Sequence, residues 1–150
     1  MAVRLERQAH AGTQRRVAFP LGGIGAGMIC MEHTGAFSHV SLRHRPNVNH
    51  EPALFSALHM KWAGGSCARV LEGPVPGWKV LGTFTENVWS RASNGLPGKH
   101  FGLPRFAASE FTARFPFATA ALHDPKLPVK AEVTAWSPFT PPNADDSSLP

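Results

Sequence analysis

Apolar residues in this chain come in short runs cut by glycine, proline and polar clusters, and their dominant period is two. The clearest run is Val129 to Trp136. There Val129, Ala131, Val133 and Ala135 alternate with Lys130, Glu132, Thr134 and Trp136, the signature of a strand with one face buried. Ala53 to Trp62 follows the same rule, with Leu54, Ser56, Leu58 and Met60 on one side and Phe55, Ala57, His59 and Lys61 on the other. Thr112 to Leu122 predicts a further strand region, interrupted by Pro116 because proline cannot donate to a ladder. Met28 to Met31 is apolar throughout and is bounded by Gly27 and by Glu32-His33-Thr34-Gly35, which predicts a buried strand followed by a turn. Phe37, Val40 and Leu42 suggest a second strand with imperfect alternation. Ala68 to Glu72 and Trp78 to Leu81 are shorter apolar runs, separated by Gly73-Pro74-Val75-Pro76-Gly77, a segment suited to turning.

Between these runs, Ser90 to Leu103 is rich in Gly, Pro, Ser and Asn and reads as a long loop. Residues 1–18 are mainly polar without a convincing period and read as a flexible lead-in, leaving 19–150 as the domain. Many short strands with turn signals between them predict an all-β fold, an antiparallel β-sandwich. The stretch from Ser137 to Pro150 reads as a connection toward further structure, so the expectation is a sandwich truncated before its end.

One segment departs from this alternation. Phe19-Pro20-Leu21-Gly22-Gly23-Ile24-Gly25-Ala26-Gly27-Met28-Ile29 carries four glycines inside an apolar stretch. Each glycine weakens a strand or helix by about 0.5–1 kcal/mol relative to alanine, so the cluster implies positive φ or a close approach. If the segment is extended, Gly23, Gly25 and Gly27 leave one face bare while Ile24, Ala26 and Met28 pack on the other. The dinucleotide fingerprint fails because its third glycine falls at Met28 and no strand-helix-strand pattern surrounds it. A phosphate-cradling loop fails because no Gly-Lys-Ser or Gly-Lys-Thr follows. A structural bend and a sugar-facing loop both remain.

The 150 residues suffice for one domain, and a composition with 43% hydrophobic and 17% charged residues is globular. Fourteen glycines and fourteen prolines argue against long helices. The net charge of +5 raises the question of nucleic acid. However, the basic residues are scattered, with only Arg15-Arg16 and Arg43-His44-Arg45 clustered, and no recognition helix, zinc finger or RNA-binding signature accompanies them. No nucleic-acid partner is expected. Two cysteines, Cys30 and Cys67, exclude a disulfide framework or a four-cysteine zinc site within the chain. The first residues lack the apolar core of a secretory signal, and no stretch approaches the roughly 20 apolar residues of a membrane span. The reading is a soluble, cytoplasmic protein with no integral membrane segment.

Candidate chemistry is sparse. Ten carboxylates are present, and a retaining glycosidase needs two of them across a scissile bond, but none stands in a recognisable catalytic context. Eight histidines lack a helical i, i+4 pair, and Cys30 with His33 has ligand-like spacing without a second pair, so neither a metal nor a cofactor is expected. No Gly-x-Ser-x-Gly elbow occurs. Trp62, Trp78, Trp89 and Trp136 suit either core packing or stacking on sugar rings.

A set of ordered motifs is more specific. The glycine run from Phe19 to Gly27, then Arg45-Pro46-Asn47, Phe55-Ser56-Ala57-Leu58-His59, Asp124-Pro125, Pro128-Val129, Trp136-Ser137-Pro138-Phe139 and Ser148-Leu149-Pro150 resemble the N-terminal domain of glycoside hydrolase family 116, the bile-acid β-glucosidase or non-lysosomal glucosylceramidase family. The resemblance runs from about Phe19 to Pro150. It departs locally at Ser38 to His44, where the family is more aromatic. It implies an N-terminal β-sandwich whose partner is a C-terminal (α/α)6 catalytic toroid that cleaves β-glucosides or glucosylated lipids with retention. The catalytic carboxylates would lie in that toroid, so no catalytic residue is expected in this chain. By the same resemblance Gly22, Gly23, Gly25, Gly27, Arg45 and Asn47 would lie near the sugar pocket of the toroid. The competing expectation is a standalone carbohydrate-binding or interaction module that uses surface tryptophans.

Overall fold

The computed structural model describes residues 8–11, 16–25, 27–43, 45–46, 50–80 and 100–148. Nine strands and two short helices succeed one another among them: β1 (Gln8–Ala11), β2 (Phe19–Pro20), β3 (Met28–Met31), β4 (Phe37–Ser41), β5 (Ala57–Trp62), β6 (Gly65–Val70), α1 (Gly77–Val80), β7 (Ala108–Arg114), β8 (Phe117–His123), β9 (Ala131–Trp136) and α2 (Ala144–Ser147). The strands form three antiparallel sheets, ordered β1-β7-β8-β9, β2-β3-β4 and β5-β6. The fold is all-β, as the period-two runs predict.

The four-stranded sheet supplies most of the core. Its inner face carries Phe111 and Ala113 from β7, Ala118, Ala120 and Leu122 from β8, and Ala131, Val133 and Ala135 from β9. Met31 of β3, with Phe19 and Leu21 beside it, packs on the same cluster, so the two larger sheets share one apolar layer, as in a sandwich. The alternation in β9 holds: Ala131, Val133 and Ala135 are half-buried, and Glu132, Thr134 and Trp136 point outward.

The alanines on β8 serve a steric purpose. A Cβ added at Gly35 would lie 3.5 Å from the Ala120 Cβ and 3.7 Å from that of Val133, so the turn between β3 and β4 sits directly on the sheet. That turn is closed by Gly35 N–H donating to the Glu32 carbonyl at 2.9 Å and Glu32 N–H donating to the Ala36 carbonyl at 2.8 Å. A larger residue at Ala120 would lift it away.

Several elements differ from the sequence expectation. Thr112 to Leu122 is two strands, because Phe115-Pro116 forms the tip of a hairpin in which Arg114 faces Phe117. The run at Trp78 is the short helix α1, whose Lys79 N–H donates to the Pro76 carbonyl at 2.9 Å. Within the 1–18 lead-in, Gln8–Ala11 pairs with β7 as an outer strand. The strand begun at Ala53 starts at Ala57, with Leu54 and Phe55 exposed before it. The imperfect alternation of β4 has a backbone cause: His39 adopts a φ of 54°, and Ser38 and Ser41 take the buried positions. Most of the Ser90 to Leu103 loop, together with Asn47, Ala26 and Trp89, lies outside the described residues.

Leu122 is fully buried in the shared layer and Thr134 faces solvent. Leu122→Ala is expected to cost about 2–5 kcal/mol of stability, while Thr134→Ser should stay within about 0.5 kcal/mol. Urea unfolding of the two variants checks the assignment of the core, and equal midpoints would overturn it.

Candidate functional site

The glycine segment is a closed loop between β2 and β3, and the alternating bare face expected of an extended strand does not form. Leu21 N–H donates to the Ile29 carbonyl at 2.8 Å, which closes its base. A Cβ on Gly22 would collide with the Gly27 carbonyl oxygen across the loop. Gly23 has a long-range neighbour: a Cβ there would collide with the Ser147 carbonyl oxygen of α2, the same oxygen that accepts from Ile24 N–H at 2.8 Å. Only a residue without a side chain lets these two backbones meet.

Gly27, with φ of 93°, turns the chain into β3, and its Cα faces the Ser41 carbonyl so closely that a Cβ would stand 2.7 Å from it. Gly25 differs from the others. Its φ is 78°, yet a Cβ at that position would meet nothing within 4 Å, so its backbone opens to the outside. An open groove of about 330 Å³ runs beside it, lined by Gly25, Gly27, Met28, Ser41, Arg45 and Pro46. A second depression, lined by Val40, Leu42, Arg45, Pro46 and His50, shares Arg45 and Pro46 with it. Arg45 is exposed, and its N–H donates to the Leu42 carbonyl at 3.1 Å, which pins the turn that presents the guanidinium.

The family model described as "beta-glucosidase 2, glycosyl-hydrolase family 116 N-term" matches residues 18–150. The chain belongs to that family. No curated protein matches the chain. In this family 116 domain the structure brings Gly25, Gly27 and Arg45 into one groove. Gly22 and Gly23 serve backbone contacts within the fold instead, and Asn47 lies outside the described residues.

Sequence reasoning missed a second polar centre. Lys79 of α1 is buried, with its Nζ 2.7 Å from Glu32 Oε2 and paired to Glu51 Oε1 as well. Beside it, Arg105 Nε donates to Glu72 Oε2 at 2.9 Å, and Arg105 Nη1 donates to the carbonyls of His100, Phe101 and Leu103 at 3.0, 3.2 and 3.2 Å. Glu32, Glu51, Glu72, Lys79, His100 and Arg105 line a pocket of about 20 Å³, room for a single water. The only hint in sequence is a lysine inside an apolar run, and nothing there pairs it with carboxylates so far away.

This centre shifts its neighbours. Burial pushes the Glu32 carboxyl above the usual range near 4.5, partly opposed by the Lys79 ammonium. Burial and then the Lys79 charge hold His33 below its usual value near 6.5, and the same two causes, opposed by Glu51, act on His39. The Cys30 thiol is raised by burial and then by Glu32, which keeps it protonated and unreactive.

Two expectations follow from this geometry. Gly23→Ala should break the Ile24 to Ser147 hydrogen bond and cost about 1–3 kcal/mol, with lost hydrogen-exchange protection at the Ile24 amide. Gly25→Ala should cost about 1–2 kcal/mol through its left-handed φ alone and leave that amide protected. Equal protection in both variants would refute the close-approach account. The second expectation concerns pH. His33 and His39 are lowered in the folded state, so the stability they contribute is present above about 6.5 and lost as the pH falls through their folded values. Glu32 runs the other way: its contribution is full below about 4.5 and lost as the pH rises through its folded value. The histidine contribution should therefore decline on acidification below pH 6.5, with Glu32 acting in the opposite sense, and the pH slope should change in His33→Asn. An unchanged slope in that variant, measured by urea unfolding across the window, would count against the buried neutral histidine.

Proposed function

We propose that this domain is the non-catalytic N-terminal part of a cytoplasmic retaining β-glucosidase that acts on glucosides or glucosylated lipids. In this reading it packs on an (α/α)6 catalytic domain and helps to shape its sugar pocket. The observation that carries the reading is the groove beside Gly25. Gly22, Gly23 and Gly27 approach other parts of the same fold, whereas the Gly25 backbone faces outward onto an open groove. A partner backbone or a sugar ring can approach such a surface more closely than any side chain permits. Arg45, which lines the same groove, offers a fork of donors suited to sugar hydroxyls or to a carboxylate of the partner.

One further feature agrees with the reading. Both cysteines are free, which suits a reducing compartment. No helix among the described residues is long and apolar enough to cross a membrane.

In a complete β-glucosidase carrying this domain, Gly25→Val should lower kcat/KM for an aryl β-glucoside by about tenfold. Thermal unfolding of the same variant separates this effect from misfolding. Unchanged kinetics in a stable variant would sink the proposal.

A further inference from the structure

Strand β4 is irregular at one place, and the irregularity joins side chains that neither the core nor the groove uses. Cys30 of β3 faces Ser38 and Met28 faces Ser41, so β3 advances two residues while β4 advances three. The extra residue is a bulge, a feature that re-aims side chains, and His39 within it takes a φ of 54°. In a regular strand adjacent side chains point to opposite faces. Here the left-handed residue turns the ring back, and His39 Nδ1 lies 2.6 Å from the Ser38 hydroxyl oxygen.

Ser38 is fully buried, and its side chain also hydrogen-bonds the Glu32 carboxylate. Glu32 is 3% exposed, with Oε2 at 2.7 Å from Lys79 Nζ. A continuous line therefore runs from the buried ammonium through Glu32 and Ser38 to His39. Of these four, His39 alone is half-buried and reaches solvent.

The charge of the centre shows what such a line supplies. Among the described residues, the pocket beside Lys79 gathers three carboxylates, Glu32, Glu51 and Glu72, and two cations, Lys79 and Arg105. The first four residues are buried, as is the side chain of Arg105. Fully ionised, the set carries one uncompensated negative charge, and a buried charge without a partner is far costlier than a paired one. One proton removes it. His100 lines the same pocket, but its Nδ1 meets no partner there among the described residues. Cys30 and His33 stand close by. Burial and then Glu32 hold Cys30 neutral, and burial and then Lys79 hold His33 neutral, so neither offsets the charge.

We propose that Glu32, Ser38 and His39 form a proton relay between solvent and the buried Lys79 centre, with His39 as its outer end. An imidazolium at His39 gives its Nδ1 proton to Ser38 Oγ while the Ser38 hydroxyl proton passes to Glu32. The carboxylate becomes a neutral carboxyl, Ser38 remains a hydroxyl, and His39 is left neutral with its proton on Nε2. The centre then carries no net charge, and the reverse transfer restores the carboxylate. Burial eases the exchange, because it raises Glu32 and lowers His39 and so brings their proton affinities together.

The test is NMR of the chain with labelled glutamate and histidine, following the Glu32 carboxyl carbon and the His39 ring against pH. Both resonances are expected to show the same two transitions, separated by about one pH unit or more. Ser38→Ala removes the connecting hydroxyl and keeps both end groups, and each should then titrate in a single step of its own. His39→Asn should reduce Glu32 to one step, since asparagine tolerates the left-handed backbone, and Glu32→Gln should do the same to His39. If loss of the buried hydroxyl unfolds the chain, Ser38→Cys fills the site with a much weaker donor and should uncouple the pair likewise. Independent single transitions in the unmodified chain would overturn the proposal. So would shared transitions that persist in the folded Ser38 variant, because the two groups would then sense each other through charge alone.

Discussion

The arrangement of the middle of this domain depends on one buried ammonium. Lys79 sits on a helix of four residues, and among the described side chains from Glu51 to Lys79 the buried apolar ones are Met60, Val70 and Pro76. Hydrophobic burial alone gives this segment little to hold it in one position. The two carboxylates on Lys79 come from different places, Glu32 from the β3–β4 turn and Glu51 from the stretch before β5. Burying three charges costs several kcal/mol per ion before their attraction offsets it. The cluster is therefore a means of fixing position more than a source of stability, because any displaced partner leaves the others uncompensated.

The apolar layer and the charged centre are arranged around each other. Ala120 keeps the inner face of the four-stranded sheet low where the β3–β4 turn sits, and Gly35 lets that turn descend onto it. That descent carries Glu32, His33 and Thr34 into the interior, where each is at most 3% exposed. Thr34 then accepts from Gly73 N–H at 2.8 Å through its carbonyl, linking the turn to the segment that leads into α1. A steric choice in the sheet thus decides where a lysine far along the chain can be neutralised. Arg105 extends the same logic. Its ion pair with Glu72 and its three carbonyl contacts hold the approach to β7, and Phe106 follows directly into the core.

Strand content was legible wherever one face is buried and the other wet, and for a physical reason: alternation records the two environments directly. β9 follows the pattern residue by residue, and β3 is flanked by the breaker and the polar turn that its boundaries require. Pairing was less legible. Pro116 looked like an interruption, but a proline at a hairpin tip leaves both flanking strands intact while reversing the chain. The glycine run signalled close approach without saying what approaches. For Gly23 the answer is a carbonyl of α2, far along the chain, and for Gly25 it is open space, a distinction that spacing does not encode. The ion cluster was illegible because charge pairing over long separations leaves no periodic trace. Trp136 belongs with these, since a tryptophan at the end of an alternating strand reads equally as core or surface until the register is known.

The meeting of Gly23 with Ser147 has a consequence for how the domain is made. During synthesis the glycine loop leaves the ribosome long before its partner carbonyl exists, and the entropy of closing so long a loop is recovered only by contacts formed once α2 is made. The loop that lines the groove therefore cannot settle until α2 has been made, although it is written well before it. A nascent chain has its hairpins before it has this clasp. The order gives the finished domain a late step at which the groove acquires its shape.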